Sequence, residues 1–177
     1  MAVAGGYGYG AFACAAGTDD ESARLCGVHT MSALTLALAN ELIDAVLAEA
    51  ARRGLPPLAV AVLDAGGHLK AMQRQDGLSF LRADICQAKA WGALAMGIDS
   101  SGLAERYAGD AQQRGFIDAL NAMTRGRVVP LPGGVVFRDA HGDTIGALGV
   151  AGGPSDQDEA CAITAIGSLG LSVSSPR

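Results

Sequence analysis

The sequence predicts an α+β fold, an α/β chain in which an antiparallel sheet built from hairpins is flanked by helices. Three observations carry this. Apolar residues recur at helical spacing near both ends and in the middle of the chain. Four short strand-like runs fall into two pairs, each joined by a tight glycine-containing turn. The elements follow the order helix, hairpin, helices, hairpin, helix. Hairpins rather than single crossover strands imply antiparallel pairing.

The first helix lies in "MSALTLALANELIDAVLAEAARRGLPP". Ser32 can cap it, Leu34, Leu38, Leu42, Ala45 and Val46 recur at helical spacing, and Glu41, Asp44 and Arg52 face away. Gly54 and Pro56-Pro57 stop it. "LAVAVLD" (58–64) is long enough for a strand and too short for a core helix. "DAGGH" (64–68) turns the chain, and "HLKAMQR" alternates as the second strand of a hairpin. A second helix is expected over 78–97, with Leu81, Ile85, Ala88, Gly92 and Ala95 on one face. Further helical pieces over 101–124 are interrupted at Gly109 and Gly115. Val135–Arg138 and Thr144–Val150 form the second hairpin around "DAHGD". The last helix starts near Ser155 and carries no charge between Glu159 and Arg177, so it should be covered on several sides.

A chain of 177 residues suits one domain, expected over 31–177 behind a flexible extension of residues 1–30. Met31, directly before the first helix signal, is a candidate functional start. Half the residues are hydrophobic and 18% are charged, with aromatics at only 5%, so the core must be built from Ala, Leu, Val and Ile. A positive mean hydropathy in so small a chain points to apolar surface buried against copies of itself. The net charge of -5 and the lack of any basic cluster longer than Arg52-Arg53 argue against a nucleic-acid partner. No apolar run is long enough to span a bilayer. Cys14, Cys26, Cys86 and Cys161 show neither C-x-x-C nor metal-like spacing, which fits a reduced cytoplasmic protein.

"GALGVAGG" (146–153) precedes the last helix, but it is neither a P-loop nor G-x-G-x-x-G. Asp156, Asp158 and Glu159 in the following turn would repel a phosphate, while they complement the helix dipole. Asp156 and Glu159 have the spacing of a capping box. Glycines in this strand then call for close approach by backbone or ligand. Gly153 is expected to need a glycine conformation. His29, His68 and His141 have no zinc-site spacing, and no nucleophile elbow is present. Lys89 sits at the edge of the second helix's apolar face. There it is either partly desolvated, able to act as acid, base or anion anchor, or a stem on the core with its ammonium in water. Arg74 and Asp76 in "RQDG" either bind a ligand or form a turn. "PLPGG" (130–134) enters a strand as a bent edge or a pocket wall.

"VAVLDAGGHLKAMQRQDG", "ADICQAKAW" and "VPLPGGVVFRDAHGDTIGALGVAGGPSDQDEACA" together resemble the GlcG/HbpS-like haem-binding or "haem-degrading" domain family, which also ends some corrinoid adenosyltransferases. The resemblance covers residues 32–172 and rests on D-x-G-G, A-K-A, P-G-G, G-x-x-G-V-x-G-G and Q-D-E in that order. It implies a profilin-like three-layer α/β/α fold and a homo-oligomer, from dimer to octamer. It also implies haem or a related tetrapyrrole as candidate ligand, with the iron ligand unassigned. Lys89, Gly133, Gly134, Asp158 and Glu159 match its motifs. A lysine facing Asp158 or Glu159 across a cleft would be a coupled acid–base pair suited to proton transfer. Three functions follow as expectations. One is a small-molecule-binding protein of this family, with Arg74, Asp76, Gly133, Gly134 and Gly153 near the ligand. Another is a cofactor-independent isomerase, lyase or hydratase using Lys89, Asp158 and Glu159 on a small carboxylate or carbonyl compound. The third is an accessory subunit acting through its oligomer.

Overall fold

A computed structural model describes residues 34–173. The expected 1–30 extension, Met31, the Ser32 cap, His29, Cys14 and Cys26 lie outside the described residues. In chain order the elements are α1 (Leu36–Arg52), β1 (Ala59–Asp64), β2 (Leu69–Arg74), α2 (Leu81–Met96), α3 (Ser100–Ala108), α4 (Ala111–Met123), β3 (Gly134–Arg138), β4 (Thr144–Ala151), α5 (Ser155–Ser168) and β5 (Ser172–Val173). The strands form one antiparallel sheet in the order β2-β1-β4-β3-β5. Both expected hairpins are present, and β1 joins them by pairing with β4. The two-residue strand β5, too short to leave a sequence signal, pairs with the end of β3.

Both hairpin turns close in the same way. The Asp64 carboxylate accepts from the Gly66 and His68 N–H groups at 2.9 and 3.0 Å, and Asp139 accepts from His141 and Asp143 at 2.9 and 3.0 Å. An aspartate that satisfies the turn's own backbone donors is why each run reverses there. The α1 cap is Thr35, whose hydroxyl accepts from Leu38 N–H at 3.1 Å.

The two faces of the sheet differ in residue size. Leu58, Val60, Val62, Val135, Phe137, Leu148 and Val150 form the main core with α1 and α5. The alternate positions Ala59, Ala61, Ala147 and Ala151 face α2. A Cβ at Gly149 would collide with the Cys86 carbonyl, and one at Gly134 with the Lys89 carbonyl. The strand glycines therefore admit the backbone of α2 itself onto the sheet. The expected face of α2 is kept in part: Ala88 and Gly92 are buried and Ile85 packs against the core. Its buried side is Cys86, Ala88, Lys89, Ala90, Gly92 and Ala93, while Leu81 and Ala95 are exposed. Small residues win the interior because the helix sits so close.

Three further expectations change. Gly115 does not interrupt a helix: it lies on the exposed side of α4, where a glycine costs only about 1 kcal/mol relative to alanine. The last helix is not covered on several sides. Ile163, Thr164, Gly167 and Ser168 face outward while Cys161, Ala162, Ala165 and Ile166 pack inward, because small neutral residues tolerate water without needing charge. The capping box is not made, since two of the three acids turn inward to partners described below. Among the described residues, no helix is long and apolar enough to cross a membrane.

Candidate functional site

The close seating of α2 carries Lys89 into the interior. Its side chain crosses from α2 to the point where β4 runs into α5. There Nζ donates to the Val150 carbonyl at 3.0 Å and to Asp158 Oδ2 at 3.2 Å. Lys89 is 1% exposed and Asp158 is fully buried. Burial pushes the Lys89 ammonium below its ordinary range, and the Asp158 carboxylate opposes that shift. The ammonium-in-water alternative is thereby excluded.

The surrounding groups are backbone donors. Asp158 Oδ1 accepts from Gly153 N–H at 3.0 Å, and Glu159 Oε2 accepts from Gly133 N–H at 2.8 Å. A Cβ on Gly133, whose φ is +120°, would meet Lys89 Nζ at 2.9 Å and the Val150 carbonyl at 2.7 Å. The conformation that demands glycine at the corner is at Gly152, with φ of +151°, and not at Gly153 as expected. A Cβ at Gly152 would strike the Pro57 carbonyl, whereas Gly153 contributes its N–H.

Next to this cluster, the start of α3 covers the open edge of β3. Ser100 Oγ accepts from Gly134 N–H at 2.6 Å and Asp99 Oδ1 from Val136 N–H at 2.9 Å. Burial pushes the Asp99 carboxyl up to about 6, with the Glu159 charge adding to the rise and the Val136 hydrogen bond resisting it. Sequence reasoning missed Asp99 and Ser100, which it saw only as a gap between helices. The signal available was the D-S-S of a helix start.

Arg74 and Asp76 are in neither place. Arg74 is exposed and donates to the Leu78 carbonyl at 2.9 Å, and Asp76 is exposed in the connection to α2.

A separate cleft of about 490 Å³ opens where the β1–β2 turn, the outer side of α2 and the segment after α4 meet. Leu63, Leu69, Ala88 and Trp91 supply apolar walls. Arg125 and Arg127 add two guanidinium groups, that of Arg127 lying 4.4 Å from the Trp91 ring centroid. His68 also lines it, with Nδ1 3.3 Å from Asp64 Oδ1. Among the described residues no group of three or more His, Cys, Asp or Glu side chains is placed to hold a metal ion.

Chemically, the Lys89 cluster is a sealed tie among α2, β4 and α5. The cleft is open and amphipathic, and Asp84 and Gln87 line it beside the two arginines and His68.

Comparison with known proteins agrees with this architecture. The family model for the haem-degrading, HbpS-like proteins matches residues 34–167. The chain is 32% identical over 137 residues to a 15.0 kDa protein of the dhaT–dhaS intergenic region of Citrobacter freundii, covering 77% of this chain and 92% of that one. It is 31% identical over 116 residues to the corrinoid adenosyltransferase PduO of Salmonella typhimurium, covering 65% of this chain but only 33% of that enzyme. The crystal structure of a PduOC–haem complex superposes with a TM-score of 0.70 at 27% identity, over 81% of this chain and 99% of the other.

Proposed function

Because the chain belongs to the haem-degrading, HbpS-like family, we propose that it is a haem-binding protein whose ligand occupies the cleft beside Trp91. The observation that carries this is the lining: one cleft joins an apolar wall, two guanidinium groups and an imidazole, with Asp84 as its one carboxylate. Its volume falls within the roughly 300–1,000 Å³ of small-molecule sites. Leu63, Ala88 and Trp91 would pack on a porphyrin face, Arg125 and Arg127 would pair with its carboxylates, and His68 offers a ring nitrogen. Bound haem would supply one-electron and oxygen chemistry, and the protein's part is to hold it and shield it from water.

A haemin titration tests this, because Trp91 is the only tryptophan of the chain. Saturable growth of a Soret band should run in parallel with quenching of Trp91 fluorescence. Arg127→Ala should weaken binding by about 10-fold, the loss of one charge-assisted contact. A Soret change without saturation, or one that leaves Trp91 emission untouched, refutes haem binding in this cleft.

The same proposal includes assembly of copies into a homo-oligomer in a reducing, cytoplasmic setting. Phe80, 78% exposed, and Leu81 beside it support the first, and the free thiols Cys86 and Cys161 support the second. Sedimentation at micromolar concentration tests the assembly.

A second reading is favoured by the 3.2 Å contact of Lys89 with Asp158. The chain would be a cofactor-independent isomerase, lyase or hydratase, with Lys89, Asp158 and Glu159 moving protons on a small carboxylate or carbonyl compound. Glu159→Gln should then abolish turnover in a screen of such compounds without changing the melt. Undiminished turnover in that variant rules this chemistry out.

A further inference from the structure

We infer that His68 is the axial ligand of the haem iron through Nε2, and that Asp64 is the positioning residue that sets its tautomer and basicity; this rests on haem occupying the cleft beside Trp91. His68 sits in the "DAGGH" turn and lines the cleft together with Trp91, Arg125 and Arg127. Its side chain is 81% accessible, so the ring is open to a ligand at the cleft mouth. Nδ1 lies 3.3 Å from Asp64 Oδ1. A carboxylate beside Nδ1 draws the proton to that nitrogen and leaves Nε2 with a free lone pair, the arrangement that metal-bound histidines use.

The carboxylate is itself held in place. The same Asp64 oxygen accepts from the Gly66 and His68 N–H groups, and Asp64 N–H donates to the His68 carbonyl at 2.9 Å. These bonds fix the Asp64 carboxylate in place beside Nδ1. The turn thus does two jobs. It reverses the chain between β1 and β2, and it holds imidazole and carboxylate together at the cleft mouth. The second hairpin turn has the same backbone scheme, but there the residue four places after the aspartate is Asp143, and His141 falls two places after it. His141 therefore serves as a matched control.

Ligation is a donor–acceptor bond from Nε2 to iron, in which a bound water leaves and no oxidation state changes. The test compares haemin complexes of the full chain with those of His68→Ala, His141→Ala and Asp64→Asn. The chain should give the absorption and resonance Raman signature of histidine-ligated haem, with Trp91 quenched. His68→Ala should lose that signature and bind at least about 10-fold more weakly, and added imidazole should restore the spectrum. His141→Ala should behave like the parent. In Asp64→Asn an amide oxygen still accepts the turn's N–H groups, so the hairpin persists. The iron–histidine stretch should fall and the haem reduction potential rise, because the ligand becomes less basic.

If the parent chain shows no saturable binding with Trp91 quenching, the cleft as a haem site is overturned, and the ligand assignment with it. If the parent binds and quenches but His68→Ala keeps the histidine signature, only the ligand assignment is overturned. An unchanged iron–histidine stretch in Asp64→Asn overturns the positioning role.

Discussion

Lys89→Met should destabilise the fold severely, because it leaves a carboxylate buried without its cation. In the native chain the ammonium makes two bonds, at 3.0 Å to the Val150 carbonyl and 3.2 Å to Asp158, and neither side chain of the ion pair is more than 2% exposed. Methionine matches the length of the lysine stem, so packing is largely kept and the loss is electrostatic. Asp158 would retain a single donor, Gly153 N–H at 3.0 Å. Breaking a buried pair by removing one partner costs about 3–5 kcal/mol. Against a total stability of about 5–15 kcal/mol this is a large fraction. At about 2–4 °C per kcal/mol it lowers the melting temperature by about 6–20 °C. Calorimetry of Lys89→Met, Asp158→Asn and the double variant would measure the coupling directly. The double variant should recover to within about 2 kcal/mol of the parent, since replacing both charges removes the uncompensated one. A Lys89→Met protein that melts within about 2 °C of the parent would refute the sealed-tie account and put water at the ammonium.

Two other perturbations follow from the packing around α2 and β3. Asp99 titrates near pH 6 in the folded chain, above its unfolded value. Its contribution to stability is therefore greatest below about pH 4 and is lost as the pH rises through 6. Asp99→Asn should gain on the parent by about 1–2 kcal/mol between pH 4 and pH 7, a figure reduced for its partial exposure. A stability difference that stays constant across that window counts against the raised carboxyl. Gly149→Ala would place a Cβ against the Cys86 carbonyl and lift α2 from the sheet, at about 3 kcal/mol or more. Its urea midpoint should fall accordingly, and a midpoint equal to the parent's would show that α2 is not seated there.

Much of what depended on neighbours in the chain was legible in the sequence, although the α3 start at Asp99, the unbroken α4 and the absence of a capping box on α5 were not. The two hairpins follow from aspartate-led turns whose donors are satisfied within five residues, and the helices from apolar periodicity ended by glycine and proline. The family resemblance, carried by short motifs in order, supplied the three-layer arrangement. The motif residues Lys89, Asp158 and Glu159 could be selected, but not their contacts.

Tertiary structure decided what depends on distance across the fold. Lys89 and Asp158 are 69 residues apart, and their contact exists only because glycines at 134 and 149 let the backbone of α2 reach the sheet. That approach widened the buried side of α2 to include Cys86, Lys89, Ala90 and Ala93 and left Leu81 exposed. No periodicity in α2 alone announces this, since the missing side chains lie on β3 and β4. The cleft is non-local in the same sense, gathering a turn, a helix and a loop that lie far apart in the chain. Local propensity chooses the elements; the space left by absent side chains chooses which of their faces meet.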